Sequence, residues 1–289
     1  MQIADLARQI RLLEIRTDHL VEEITGGAYR SVFRGHGIEF DEVREYTTDD
    51  DFRSIDWNVS ARMGSPYVKK FVEERELLVL LAVDLSASGA FGSAEKSKRQ
   101  TAAELAALLA FSAGRNGDKV GLLLFTDRIE LFLPPKQGRT HALRMIRELL
   151  AFEPAGIGTD IDSALREISR LMKKRGVIFL LSDLIEPEKF ASSLRLLRAK
   201  QDVIAIELTD PVEEEFPLAC PVTLEDAETG ESVEYTGKRA ELNRELARIE
   251  EEKAAVCRRA GADLIRVECG DDILKPLIGF FSERRRRMR

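Results

Sequence analysis

Leu77–Val83 is an unbroken apolar run, Leu-Leu-Val-Leu-Leu-Ala-Val. A run of this length without alternation marks a strand buried on both faces. Comparable runs recur at Lys119–Phe125, Val177–Leu181, Val203–Leu208 and Leu264–Val267. The segments between them carry helical spacing: Ala94–Arg115, Arg139–Phe152, Asp160–Lys174, Pro187–Ala199 and Arg239–Arg259. Ile129–Leu133 follows the second run closely and reads as its antiparallel hairpin partner. Alternation of this kind predicts an α/β fold: a doubly wound, mostly parallel sheet of about six strands with helices on both faces.

Other segments depart from the alternation. Ile3, Leu6, Ile10, Leu13 and Leu20 predict an amphipathic helix over 2–24, ending at Gly26-Gly27. Residues 28–75 mix glycines, aromatics and both charges without a period, and read as an irregular, β-containing appendage. Thr229-Gly230 between Val222-Thr223-Leu224 and Val233-Glu234-Tyr235 predicts a β-hairpin within an acidic insert at 211–237. The expected organisation is therefore an appendage at 1–75, an α/β domain at 76–270 carrying that insert, and a C-terminal helix with a basic tail at 271–289.

Composition changes this picture little. Hydrophobic content of 44% is enough for a sizeable core, and the net charge of −7 argues against a general nucleic-acid binder. Cys220, Cys257 and Cys269 are scattered and show no CxxC spacing, as expected of a reduced cytoplasmic protein without structural zinc. The longest apolar run is too short to span a bilayer. The tail Arg284-Arg285-Arg286-Arg287-Met288-Arg289 follows Leu277, Ile278, Phe280 and Phe281. It is either a membrane-surface anchor or, as preferred, a solvated helix end whose cations suit the C-terminal dipole.

Candidate chemistry lies at the expected strand ends. Asp84-Leu85-Ser86-Ala87-Ser88 follows the first run, Asp183 the third, and Thr159 sits in a glycine-flanked loop before a helix. Ligands of open α/β sheets bind beyond the carboxyl ends of the strands. Two carboxylates and three hydroxyls form an all-oxygen set suited to Mg²⁺ or Mn²⁺. Such short motifs also arise as helix caps, and Asp160 is a candidate for that role.

The five positions together resemble the metal-ion-dependent adhesion site of von Willebrand factor A-like domains, whose element order residues 76–270 share. The resemblance implies hydroxyls from Ser86, Ser88 and Thr159, with Asp84 and Asp183 acting directly or through water. A second resemblance runs from Tyr29-Arg30-Ser31-Val32-Phe33-Arg34-Gly35-His36-Gly37 through Arg44-Glu45-Tyr46 and Asp56-Trp57 to Ser60-Ala61-Arg62. It is similar to the hallmark of the bacterial domain of unknown function number fifty-eight, with Asp49 standing where that family usually has glycine. The resemblance implies an A-type domain beside this segment and a MoxR-type AAA+ ATPase, or its client, as partner. The alternating Arg34, Arg44, Arg53, Arg62 and Glu39, Asp50, Asp51, Asp56 read as ion pairs fastening the appendage, with Trp57 and Phe40 as packing anchors. The other reading is a docking surface or second catalytic centre.

Other motifs fail. Gly89–Ser97 lacks the glycines of a phosphate-binding loop, and His19, His36 and His141 share no metal-ligand spacing. The expected function is a non-enzymatic, metal-dependent protein-binding module. The rival is a metal-assisted hydrolase or phosphoryl-transfer enzyme at the same site, with Asp160 and Asp127 as the nearest candidate bases.

Overall fold

The computed structural model describes residues 10–12, 20–21, 38–47, 50–73, 77–93, 96–214 and 222–287. The chain forms two compact units, Phe33–Leu77 and Met1–Val32 with Leu78–Arg289.

In the smaller unit, β1 (Ile38–Glu45) pairs antiparallel with β2 (Tyr67–Glu73), with a register shift between Phe40 and Glu42. A 3-10 turn (Phe52–Ser54) and α1 (Trp57–Met63) lie between them. Three acids here have local tasks. Asp56 caps α1 through Asn58 and Val59 N–H, and Asp51 accepts from Arg53 N–H. Asp50 takes a two-pronged bond from Arg44 at 2.6 and 2.9 Å. That guanidinium, with Thr47, holds its carboxyl down at about 2. These bonds brace the smaller unit from within, and Trp57 is not a packing anchor there. It is 69% exposed, with Phe52 and Met63 exposed nearby in sequence. Among the described residues of this unit, no second layer covers the indole that opens this seven-residue helix. Arg34 and Asp49, and the side chains of Glu39 and Phe40, lie outside the described residues, as do most of the 2–24 helix, His19, His36 and Cys220.

The larger unit is built on a six-stranded sheet in the order β10-β7-β6-β3-β4-β5. Its strands are β3 (Leu78–Asp84), β4 (Lys119–Phe125), β5 (Ile129–Lys136), β6 (Val177–Ser182), β7 (Asp202–Thr209) and β10 (Asp263–Glu268). Only β5 runs antiparallel, at the edge, where Pro134 and Pro135 are tolerated. Leu80 and Ala82 of β3 join one core with α4 (Ile161–Leu171), α5 (Pro187–Arg198) and α7 (Arg239–Ala260). Their neighbours Val79, Leu81 and Val83 are equally buried on the opposite face, the side of α2 (Lys98–Arg115) and α3 (Arg139–Ala151). Burial of both faces explains why the runs do not alternate.

α2 starts at Lys98 rather than Ala94, because Ser97 and Gln100 close a reciprocal capping box. A short α6 (Pro211–Glu214) precedes the predicted hairpin, β8 (Val222–Glu225) and β9 (Ser232–Tyr235). Cys257 and Cys269 are buried and free. In α8 (Leu274–Arg287), Leu277 and Phe281 are buried, while Arg284 bonds Asp202 and Asp263. The apolar face is thus spent on the protein.

One buried charge cluster tests the packing. Glu207 on β7 is fully buried and meets Lys253 of α7 at 2.7 Å and Arg266 of β10 at 2.9 Å. Burial raises the Glu207 pKa and the two cations oppose that rise. Lys253→Met should destabilise the fold by on the order of 3 kcal/mol in urea denaturation, since it strands a buried carboxylate. Adding Glu207→Leu should recover most of the loss. A single-variant loss below about 1 kcal/mol would show that Arg266 alone suffices.

Candidate metal centre

The sheet reverses its winding between β3 and β6. The chain adds β4 and β5 on one side of β3, then β6, β7 and β10 on the other. Such a switch point leaves a crevice at the carboxyl ends of the two strands, because their outgoing loops diverge. Val83 pairs with Leu181, so the parallel register puts Asp84 level with Ser182, one residue before Asp183.

Asp84 is 9% exposed and Asp183 5%. Ser182 Oγ donates to Asp84 Oδ2 at 2.8 Å, and Ser86 N–H donates to Oδ1 at 2.9 Å. Ser86 Oγ and Ser88 Oγ are 3.0 Å apart. The structure therefore gathers Asp84, Ser86 and Ser88, with Asp183 close enough for its charge to act on Asp84. After Asp183, Leu184 takes a positive φ of 54° while buried, and its N–H donates to Ser182 Oγ at 3.1 Å. Glu186 is also left-handed, at 53°. Two non-glycine residues in that region within three positions store strain beside the cluster.

Thr159 arrives on a separate loop. Ala87 N–H donates to Ile157 C=O at 2.9 Å, joining this loop to the serine turn. Glu130 Oε1 accepts from Ala155 N–H, Gly156 N–H and Thr126 Oγ1 at 3.1, 2.7 and 2.8 Å, fixing the loop's path. A Cβ on Gly156 would lie 2.9 Å from the Cβ of the buried Thr126, so a larger residue here would force a shift. The Thr159 hydroxyl does not point its proton at the serines. It donates to Glu228 Oε1 at 2.5 Å, and Thr159 N–H to Oε2 at 3.2 Å.

Two further groups escape sequence reasoning. Ser182 bridges toward Asp84, and its only signal is its place beside Asp183. Lys98 is 2% exposed, with Nζ 3.2 Å from Asp183 Oδ2 and 2.6 Å from Glu213 Oε1. Burial opposes its charge, but the two carboxylates outweigh it and raise its pKa. Nothing local marks the lysine at the head of an alanine-rich helix as a neutraliser of a distant strand end.

The donors fit a hard cation. Among the described residues Asp183 Oδ1 is buried without a hydrogen-bond partner, which is costly unless a cation or water meets it. Two acids crowd one crevice, with the Lys98 ammonium beside Asp183. Among the described residues no three His, Cys, Asp or Glu side chains gather as metal ligands, so an ion here depends on the hydroxyls. Asp160 Oδ1 accepts from Ser163 N–H and caps α4, and Asp127 pairs with Arg128 at 2.9 Å.

In EDTA the cluster has a pH signature. Burial first, and the charge of Asp183 second, push the Asp84 carboxyl from 3.8 up to about 7, against hydrogen bonds from Ser86 and Ser182. Between about pH 4 and 7 the folded chain then keeps a proton that the unfolded chain has released, so stability falls as pH rises through that window, by at most about 1.4 kcal/mol per pKa unit. Denaturation at pH 5 and pH 8 should show this loss in the wild type and a flatter profile in Asp84→Asn. Equal slopes in both would place the proton elsewhere.

Residues 42–256 match the family described as "Protein of unknown function DUF58". An uncharacterized protein of Mycobacterium tuberculosis (strain ATCC 25618 / H37Rv) is 32% identical over 286 residues, covering 97% of this chain and 90% of that one. Among solved structures, the conserved hypothetical protein BatB from Bacteroides thetaiotaomicron superposes with a TM-score of 0.50 at 18% identity, over 73% of this chain and 99% of that chain. The SpRpn10 VWA domain gives a TM-score of 0.40 at 11% identity, over 71% and 95%. Among the described residues no helix is long and apolar enough to cross a membrane. The chain has a von Willebrand factor A-like α/β fold and belongs to the DUF58 family.

Proposed function

We propose that the chain is a metal-dependent protein-binding module, and that its site selects an acidic residue of a partner. The observation that carries this reading is the rim of the crevice. Phe91, Ile157 and Ile185 are 44, 60 and 49% exposed. They lie on the three loops that carry the serines, Thr159 and Asp183. Large apolar side chains exposed on the loops that carry a polar centre are what a docking surface needs, because they supply burial while the centre supplies direction. Asp84, Asp183, Ser86, Ser88 and Thr159 would hold Mg²⁺ or Mn²⁺, which when bound would offer a directional, charge-assisted bond to a carboxylate. Lys98 would neutralise one edge of Asp183 and leave Oδ1 for the ion. A MoxR-type AAA+ ATPase, or a client of one, is the partner proposed from the family resemblance. The hydrolase reading is disfavoured because Asp127 and Asp160 are engaged with Arg128 and a helix cap.

Titration calorimetry with Mn²⁺ should give a binding heat that Asp84→Ala abolishes; equal heat from the variant would remove the ion from this crevice. A purified MoxR-type ATPase should bind in Mg²⁺ and not in EDTA. Ile157→Ser or Phe91→Ser should weaken that association roughly tenfold, the scale of an interface anchor, with Mn²⁺ affinity unchanged. Binding that survives both EDTA and the rim substitutions would refute the reading.

A further inference from the structure

The β8–β9 hairpin is exposed along most of its length. From Thr223 to Gly230 every residue is exposed except Glu228, which is half-buried. The turn is built to hold that one side chain. Asp226 Oδ1 accepts from Glu228 N–H at 2.8 Å and Thr229 N–H at 3.2 Å. Gly230 N–H donates to Asp226 C=O at 2.8 Å, and Gly230 takes φ 72° to close the turn. These bonds keep the Asp226 carboxyl below its ordinary pKa. The tip therefore stays ordered by its own hydrogen bonds, and Glu228 points away from them to Thr159.

Both oxygens of Glu228 are used on Thr159, one on the hydroxyl and one on the backbone N–H. Gly158 leaves room, since even a Cβ there would sit 3.5 Å from Glu228 Oε2. Thr159 is the one member of the five-residue set whose hydroxyl is committed to a carboxylate outside the set. A surface Glu has little reason to give up part of its hydration to one threonine unless the seat is electrostatically favourable. We propose that Glu228 is the chain's own acidic ligand for this centre: the hairpin tip holds at Thr159 the same group that an acidic partner brings, so that partner must displace it. The inference rests on the metal-dependent reading above and adds its regulation. An ion in the crevice would draw the tip down, and a competing carboxylate would release it.

The test uses Mn²⁺ alone, calorimetry, and hydrogen exchange of residues 222–237. Wild-type protein should bind Mn²⁺ and show slower exchange at the hairpin when loaded. Glu228→Gln should bind Mn²⁺ roughly tenfold or more weakly, as for loss of a ligand-shell partner. Its hairpin exchange should no longer respond to the ion, and its melting temperature should stay at the wild-type value. Glu234→Gln, on the exposed β9, should match wild type throughout. Mn²⁺ binding that Asp84→Ala abolishes but Glu228→Gln leaves unchanged, with an unresponsive hairpin, would overturn this inference and keep the metal reading. No Mn²⁺ binding by the wild type would overturn both.

Discussion

Two carboxylates are buried at one end of a sheet, and the rest of the site is arranged around that fact. Asp84 and Asp183 stand at the switch point, where the winding reverses and the crevice opens. Burial first, and the nearby charge of Asp183 second, push the Asp84 carboxyl up to about 7. The chain meets this cost from several sides. Ser182 and Ser86 donate to Asp84, and Lys98 reaches in from the first turn of α2. Even so, Asp183 Oδ1 is left without a donor among the described residues. A fold selected for stability alone would replace such a pair with apolar residues at little loss. Retention of both acids beside hydroxyls is the physical case for a ligand-binding role.

The loops show how rigidity and access are divided. The path of the Thr159 loop is set by two backbone bonds to Glu130 and by the close approach of Gly156 to Thr126. The Asp183 loop is set by two left-handed residues and a serine contact. Both loops nevertheless present apolar side chains to solvent. Backbones are held while Ile157 and Ile185 stay exposed, a combination that lowers the ordering cost of docking.

The hairpin gives the site an internal competitor in the proposed scheme. A lone two-stranded hairpin is marginal in water. Here its tip is closed by Asp226 and seated by Glu228. The seating contact is polar and solvent-accessible, which suits an element that must let go.

How much of this was legible in the sequence differs by level. The unbroken runs named five strands, and their length and spacing named the sheet, because burial on both faces leaves no polar position to confuse the period. Asp84, Ser86, Ser88 and Asp183 were legible because parallel strands bring their carboxyl ends to one edge whatever the details of packing. Thr159 was placed on the correct loop, but its bond to Glu228 was not foreseeable. That contact joins residues 69 positions apart through an insert with no period linking it to the loop. Lys98 and Glu213 were hidden for the same reason: a charge at a helix head reads as solvated until a strand end from elsewhere in the chain closes over it. Trp57 is exposed rather than an anchor, because aromatic character predicts burial only when a second layer exists to provide it. The sequence by itself determined which segments are strands and which strand ends carry carboxylates and hydroxyls. Only the tertiary structure decided which charges face one another, since that depends on distances between segments that no local pattern encodes.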